Sequence, residues 1–322
     1  MILYIFIDGI GFGKDTPDSN PFARFKTEFF SPLAEIAIPK SSIFHEAHYV
    51  RTDACMGIEG LPQSATGQTA IWTGINAPYA VQRHVSGFPT FTLKKIISKY
   101  SVLKILTERG LKAGFMNCYS PLYFEQIKKK PRHVSASTLI QMAAGVPFKG
   151  IDDLRNGSGI YMDITHEFLR VIAKNYLEPT DALMELRDPY EMGERLYGNA
   201  CGYDLAIFEY FLTDKVGHDM NWENAKIVIN TLEAFFKGIW KNFDCSRDQI
   251  IITSDHGNLE DLTTNKHTSN PVPTILYGKH STKLSKNIKS LCDIVPEIYS
   301  ILGLDVQLNQ KEFVNHSSES SA

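Results

Sequence analysis

The chain has 322 residues, with 33 Lys and Arg against 36 Asp and Glu and a formal net charge of -3. That near-balance supplies no basic field, so no nucleic-acid partner is expected. Hydrophobic residues make up 43%, yet no apolar run nears the roughly 20 residues of a membrane helix, so the composition points to a globular protein without a membrane partner.

Residues 2–7, Ile-Leu-Tyr-Ile-Phe-Ile, read as a buried strand and not as a signal peptide, since no basic segment precedes them and no small-residue cleavage site follows. The five cysteines (Cys55, Cys118, Cys201, Cys245 and Cys292) are scattered and form no CxxC pair, which suits reduced thiols in a cytoplasmic protein. A Gly/Pro/Asp/Asn-rich loop spans 9–21, the composition expected where a strand end opens into a functional loop. A short helix is expected over 65–73. Residues 93–109 carry apolar side chains at helical spacing with a break near Tyr100-Ser101, Gly110 stops that pattern, and 112–117 reads as a strand. Helix, glycine, strand is the repeat of a doubly wound α/β fold, a mostly parallel sheet with helices on both faces.

From 119 to 199 the pattern is less regular. It holds a basic loop at 128–132 and helices at 136–144 and 164–176, and we expect a small inserted cap. The sheet pattern returns with a strand at 204–211, a long amphipathic helix at 222–243 and strands at 249–253 and 273–277. A closing helix is expected at 290–302, and a polar, disordered tail at 311–322.

The ends of these strands carry the chemistry. The first ends at Asp8. The strand at 204–211 runs into Asp214 and His218. The strand at 249–253 delivers Asp255-His256, and His267 lies in the next loop. The carboxyl ends of parallel strands line one crevice, so residues far apart in sequence converge there. Three aspartates and three histidines suit two divalent metal ions with mixed nitrogen and oxygen coordination.

The segments Asp8-Gly9-Ile10-Gly11-Phe12-Gly13, Asp214-x-x-x-His218, Thr253-Ser254-Asp255-His256-Gly257-Asn258-Leu259-Glu260 and His267-Thr268-Ser269-Asn270-Pro271 resemble the alkaline phosphatase superfamily. Within it they are similar to the cofactor-independent phosphoglycerate mutase and phosphopentomutase branch. The resemblance implies a metal-binding core from 1–118 and 200–310, with Asp214, His218 and His267 on one metal. Asp8, Asp255, His256 and the oxygen of the nucleophile would hold the other. The ions it implies are Mn2+ or Zn2+. It also places Ser64, in Gly60-Leu61-Pro62-Gln63-Ser64-Ala65-Thr66-Gly67-Gln68-Thr69, at the nucleophile position, with Thr66 the second candidate. A metal-lowered hydroxyl pKa and a helix N-terminus facing phosphate are consistent with that role. Arg83 and His84, in the loop after the nucleophile helix, and Gln68 are the candidate substrate contacts.

The nucleophile loop departs from the mutase pattern, which has an acidic residue after the serine and a histidine where Gln68 stands. The 119–199 stretch also lacks the paired arginines of the mutase insertion. The expected activity is therefore a two-metal phosphohydrolase, a phosphomonoesterase or phosphodiesterase, acting on a small phosphorylated metabolite through a phosphoseryl intermediate. The alternatives are a phosphomutase of the phosphoglycerate mutase or phosphopentomutase type and a metal-binding protein without catalysis.

Overall fold

The computed structural model describes residues 1–314. Strands β1 (Ile2–Ile7), β2 (His48–Thr52), β3 (Ala113–Phe115), β6 (Leu205–Tyr210), β7 (Gln249–Thr253) and β8 (Val272–Gly278) form one sheet in the order β2-β8-β7-β1-β6-β3. The pairs β1–β6, β1–β7 and β3–β6 are parallel, while β8 is antiparallel to both neighbours. Because β8 runs backward, it starts at the edge where β7 ends, so the whole 254–271 connection stays at that edge.

Alternation along the central strands explains the helices on both faces. Tyr4, Phe6, Leu205, Ile207 and Ile251 join one core cluster, built with the helices Ser64–Thr73, Phe91–Tyr100, Val102–Glu108 and Ile294–Ile301. Leu3, Ile5, Ile7, Phe208, Ile250 and Ile252 join the other, built with the helices Pro189–Ala200 and Trp222–Lys241. The mostly parallel α/β sheet expected from sequence is what the chain forms.

Several local expectations change. The strand expected at 112–117 divides at Met116. Its first half joins β6, and Asn117–Cys118 (β4) pairs instead with Ile160–Tyr161 (β5) in a separate two-stranded sheet. The helix expected at 164–176 forms only over Glu167–Ala173, because Ile164 and His166 adopt left-handed backbone at φ 66 and φ 65. Lys128 and Lys129, expected in a loop, end the helix Pro121–Lys129. At 290–302 a 3-10 turn at Leu291–Asp293 precedes the helix Ile294–Ile301. Edge strand β2 was not expected; its residues are half-buried or exposed up to Thr52, so it lacks the apolar signature of the central strands.

The 119–199 stretch does not pack as one unit. Ala136 and Ile140 belong to the first core cluster and Met192, Leu196 and Tyr197 to the second. Leu154, Tyr161, Leu169, Ala173 and Leu183 form a small core of their own with Cys118. Residues 311–314, expected in the tail, also pack: Lys99 Nζ lies 2.5 Å from Glu312 Oε1, and the Phe313 ring sits 6.3 Å from that of Tyr100. The remaining tail residues, 315–322, lie outside the described residues.

Two glycines set the crossing of the helices Pro189–Ala200 and Trp222–Lys241. A Cβ on Gly193 would stand 2.0 Å from the Phe235 carbonyl oxygen, and one on Gly238 would stand 2.0 Å from that of Tyr190. The contacted atoms are backbone and cannot rotate away. Gly193→Ala is expected to destabilise the protein by about 1–3 kcal/mol through overpacking, read as a lowered midpoint of thermal unfolding; an unchanged midpoint contradicts this close crossing.

Candidate active site

The expected residues meet at the carboxyl edge of the sheet. Asp8 leaves β1 with its N–H donating to Tyr210 O (2.9 Å) and its carbonyl accepting from Thr213 Oγ1 (2.5 Å). The helix Leu212–Asp219 starts just after β6, so Asp214 occupies its first turn and His218 its last, one helical turn apart on one face. Asp255 and His256 follow β7. Ser254 Oγ accepts from Ile10 N–H and donates to His256 O, each at 3.0 Å, tying this segment to the loop after β1.

Three carboxylates and two imidazoles form two overlapping groups of potential ligands, Asp8/Asp255/His256 and Asp214/His256/His267. His256 belongs to both, where the sequence assigned it to one. His218 joins the second group, with Nε2 3.4 Å from Asp214 Oδ2 and 3.2 Å from His267 Nε2. The His256 and His267 rings stack at 3.6 Å between centroids.

The hydrogen bonds at the far side of each ring decide what these nitrogens present. His218 Nδ1 faces Asn265 O at 2.7 Å, and His267 Nδ1 faces Pro62 O at 3.0 Å. A carbonyl only accepts, so it holds the proton on each Nδ1 and leaves each Nε2 with a lone pair. Two lone pairs then face each other beside the Asp214 carboxylate. Asp8 Oδ1, Asp255 Oδ1 and His256 Nδ1 are buried with no hydrogen-bond partner. Buried acceptors without donors are costly, and this donor set fits divalent cations.

Ser64 Oγ lies 3.1 Å from His256 Nε2, at the start of the helix Ser64–Thr73. Thr66 is fully buried, and its hydroxyl donates to Gln63 O (3.1 Å) while accepting from Val85 N–H (3.2 Å). Its oxygen is thus occupied, and Ser64 is the candidate that faces the cluster. Ala65 N–H already donates to Val85 O and Gly67 N–H to Gln63 O, so the helix N-terminus keeps fewer amides for an anion than its sequence suggests. Glycine is required at two approaches: a Cβ on Gly67 would stand 2.7 Å from Asp255 O, and Gly9, at φ +67, would place one 2.7 Å from Asp214 Oδ1.

Gln68, expected at the substrate, instead holds ligand candidates: its Nε2 donates to Asp255 Oδ2 (3.1 Å) and Asp8 Oδ2 (3.4 Å). Arg83 is exposed beside a cavity of about 380 Å³ lined by Val81, Thr90, Phe91 and Thr92. His84 Nε2 bonds Ile58 O at 3.2 Å. Among the described residues neither Arg83 nor His84 hydrogen-bonds to the acid and imidazole cluster.

The supporting residues were visible as motif letters without a role. Asn258 Nδ2 donates to Asp214 Oδ1 (2.7 Å). Buried Glu260 accepts from Asn258 N–H (2.8 Å), Asn270 Nδ2 (3.1 Å) and the Thr268 hydroxyl, joining the segments that carry Asp255 and His267. Glu209 was missed altogether, although one acid within the run Leu-Ala-Ile-Phe-Glu-Tyr was a usable signal.

Burial, then the Asp255 and Asp214 charges, holds the Asp8 carboxyl well above its ordinary range. Burial, then Asp214, pushes Asp255 up to about 7. Burial, then His267, pushes His256 down to about 3.

A family model described as the metalloenzyme superfamily matches residues 1–306. The 2,3-bisphosphoglycerate-independent phosphoglycerate mutase of Methylobacillus flagellatus is 32% identical over 124 residues, covering 36% of this chain and 24% of that protein. The chain thus spans about a quarter of the length of the curated relatives it matches. The PH0037 protein from Pyrococcus horikoshii aligns at a TM-score of 0.54 and 14% identity, covering 96% of this chain and 98% of that one. The cold-active alkaline phosphatase of a psychrophilic Shewanella sp. aligns at 0.51 and 12%, covering 93% and 99%. At those identities the likeness is one of fold.

A divalent cation needs ionised carboxylates and neutral imidazoles. Below about 7 Asp255 holds a proton that a cation must displace, the raised Asp8 carboxyl acts in the same direction, and His256, titrating near 3, has no proton to give. Divalent-metal affinity is therefore expected to rise with pH through about 7, with protons released on binding near pH 6 and fewer at higher pH. Calorimetry in buffers of different ionisation enthalpy measures both; pH-independent binding without proton release contradicts the expectation.

Proposed function

Because the chain belongs to the metalloenzyme superfamily, whose match at 1–306 takes in every candidate ligand, we propose that it is a two-metal phosphohydrolase acting on a small-molecule phosphomonoester or phosphodiester. The observation that carries this reading is Ser64 Oγ at 3.1 Å from His256 Nε2, the one ring nitrogen that also lies 3.4 Å from Asp8 Oδ1 and 3.5 Å from Asp255 Oδ2. A hydroxyl there is a member of the donor set and also free to attack.

Asp8, Asp255 and His256 with Ser64 Oγ would hold one ion, and Asp214, His218 and His267 the other, as Mn2+ or Zn2+. Bound there, the ions would supply Lewis acidity to the phosphoryl oxygens and to the Ser64 hydroxyl. Ser64 Oγ forms a bond to phosphorus in line with the departing oxygen, whose bond to phosphorus breaks, and the proton lost from Ser64 ends on that oxygen, which leaves as the alcohol. Water then cleaves the phosphoseryl ester and regenerates the Ser64 hydroxyl. Gln68 fixes the two carboxylates against each other throughout, and Asn258 fixes Asp214.

A second reading, a phosphomutase, draws on the 32% identical stretch shared with the Methylobacillus flagellatus mutase. Against it, Ala65 and Gln68 replace the acid and histidine of the mutase nucleophile loop, and Gln68 is committed to Asp8 and Asp255. Phosphate release and not an isomeric ester is the expected product.

With Mn2+ or Zn2+ added, the protein is expected to release phosphate from p-nitrophenyl phosphate. Ser64→Ala is expected to lower turnover by about a thousandfold or more while leaving the metal content, read by elemental analysis, unchanged. A pure Ser64→Ala protein with near wild-type turnover sinks the assignment.

A further inference from the structure

Strand β6 carries an acidic side chain that the metal-ligand groups do not use. Glu209 pairs with Phe6 across the β1–β6 ladder and alternates with Phe208 and Tyr210. It therefore lies on the face of Leu205 and Ile207, which the helix Ser64–Thr73 covers. The same alternation continues along β1 from Tyr4 and Phe6 to Asp8, so Glu209 stands just behind Asp8 on the nucleophile side of the sheet. Asn117 locks it in place: Asn117 Nδ2 donates to Glu209 O and Glu209 N–H donates to Asn117 Oδ1, both at 2.8 Å. Ser137 lies on the helix Ala136–Ala144, which packs on this face, with its hydroxyl 3.0 Å from that of Ser135, and the charges of Glu209 and Asp255 act on each other.

Two residues beyond Asn117, Tyr119 gathers with three more half-buried aromatic residues, Tyr123, Phe124 and Phe148, and none of the four belongs to the three hydrophobic clusters of the described residues. Tyr119 stacks on Tyr123 at 4.8 Å and meets Phe148 edge-on at 5.5 Å. The Tyr119 hydroxyl accepts from Gln141 Nε2 (2.7 Å), and that of Tyr123 shares a hydrogen bond with Thr138 Oγ1 (2.5 Å). The Glu209 charge acts on both tyrosines. Aromatic faces, a row of hydroxyls and one fixed carboxylate thus gather on the side of the sheet that carries the nucleophile helix.

We propose that Glu209, Ser137, Tyr119 and Tyr123 form the subsite for the alcohol half of the substrate, and that Glu209 selects an uncharged, hydroxyl-bearing alcohol over a carboxylated one. This rests on the phosphoester reading of the Ser64 site. The Glu209 carboxylate accepts hydrogen bonds from alcohol hydroxyls, and the rings of Tyr119 and Tyr123 offer apolar faces with polar edges. A carboxylate on the alcohol would meet the Glu209 carboxylate, and like charges at close range reject a ligand.

Two esters separate the cases: sn-glycerol 3-phosphate has a hydroxymethyl group where 3-phosphoglycerate has a carboxylate. Binding is measured by calorimetry on the full-length, Mn2+-loaded Ser64→Ala protein. The glycerol ester is expected to bind at least about tenfold tighter. Adding Glu209→Gln is expected to bring the affinity ratio to within about threefold; Ser137→Ala lowers the same ratio and serves if the Gln variant does not fold. Equal or tighter binding of 3-phosphoglycerate, no binding of either ester, or a ratio unchanged by Glu209→Gln overturns the proposal. Phosphate release by the wild-type protein from p-nitrophenyl phosphate judges the hydrolase reading separately.

Discussion

Two imidazole nitrogens face each other at 3.2 Å with lone pairs on both sides, because carbonyl oxygens behind the rings hold the protons of His218 and His267 on Nδ1. The other half of the cluster has the same character. Asp8 and Asp255 share the single amide of Gln68, and each keeps one buried oxygen without a donor. Acceptors crowded together out of water repel one another. Opposing such repulsion needs a rigid frame around the groups and a positive charge among them. The frame is the fold; the charge is what the donor set fits.

The frame is built from close approaches. Gly67 lets the nucleophile helix lie against the Asp255 backbone, and Gly9 turns the chain beneath Asp214. Glu260 sits at the hub of the 254–271 connection, where a Cβ on Gly11 would stand 2.4 Å and one on Gly257 2.2 Å from its Oε1. Its hydrogen bonds to Asn258, Thr268 and Asn270 fix the separation between Asp255-His256 and His267. The antiparallel course of β8 keeps both ends of this connection at one edge, so a single carboxylate can staple it. Burial raises the Glu260 carboxyl above its ordinary value while its three donors, Thr268, Asn270 and Asn258, oppose that rise, as expected for an acid held by hydrogen bonds and not by a counter-ion.

The ligand candidates were legible because each directly follows or closely trails a strand whose apolar run is unmistakable: Ile2–Ile7, Leu205–Tyr210 and Gln249–Thr253. Convergence then follows from sheet direction alone. Ser64 was legible only through its surrounding motif, since a serine that opens a helix is ordinarily a cap. What sequence concealed depends on partners distant along the chain. Gln68 reads from sequence as a substrate contact, and its bonds to Asp8 and Asp255 show only once the fold brings them to it. The strand break at Met116 follows from the Asn117 side chain taking over the backbone pairing of Glu209, which no local pattern encodes. The close crossing at Gly193 and Gly238 likewise shows only when the two helices are packed. The region expected as a cap was hardest to read because its helices bury residues into three different clusters.

The two groups of ligand candidates are chemically unequal. Asp8, Asp255 and His256 are all buried and carry two carboxylates with one neutral ring. Asp214, His218 and His267 carry one carboxylate with two rings, and the His218 side chain is 42% exposed. Carboxylate oxygens suit harder cations and imidazoles softer ones, so the groups differ in the ion they prefer as well as in access. On the proposed reading, the buried group lies on the side of Ser64 and anchors the nucleophile, while the open group exchanges with solvent. His256 lies between them, its Nε2 toward Asp8 and Ser64 and its Nδ1 4.0 Å from Asp214 Oδ1. A change at either group is therefore felt at the other through one ring, and through that ring at the Ser64 hydroxyl.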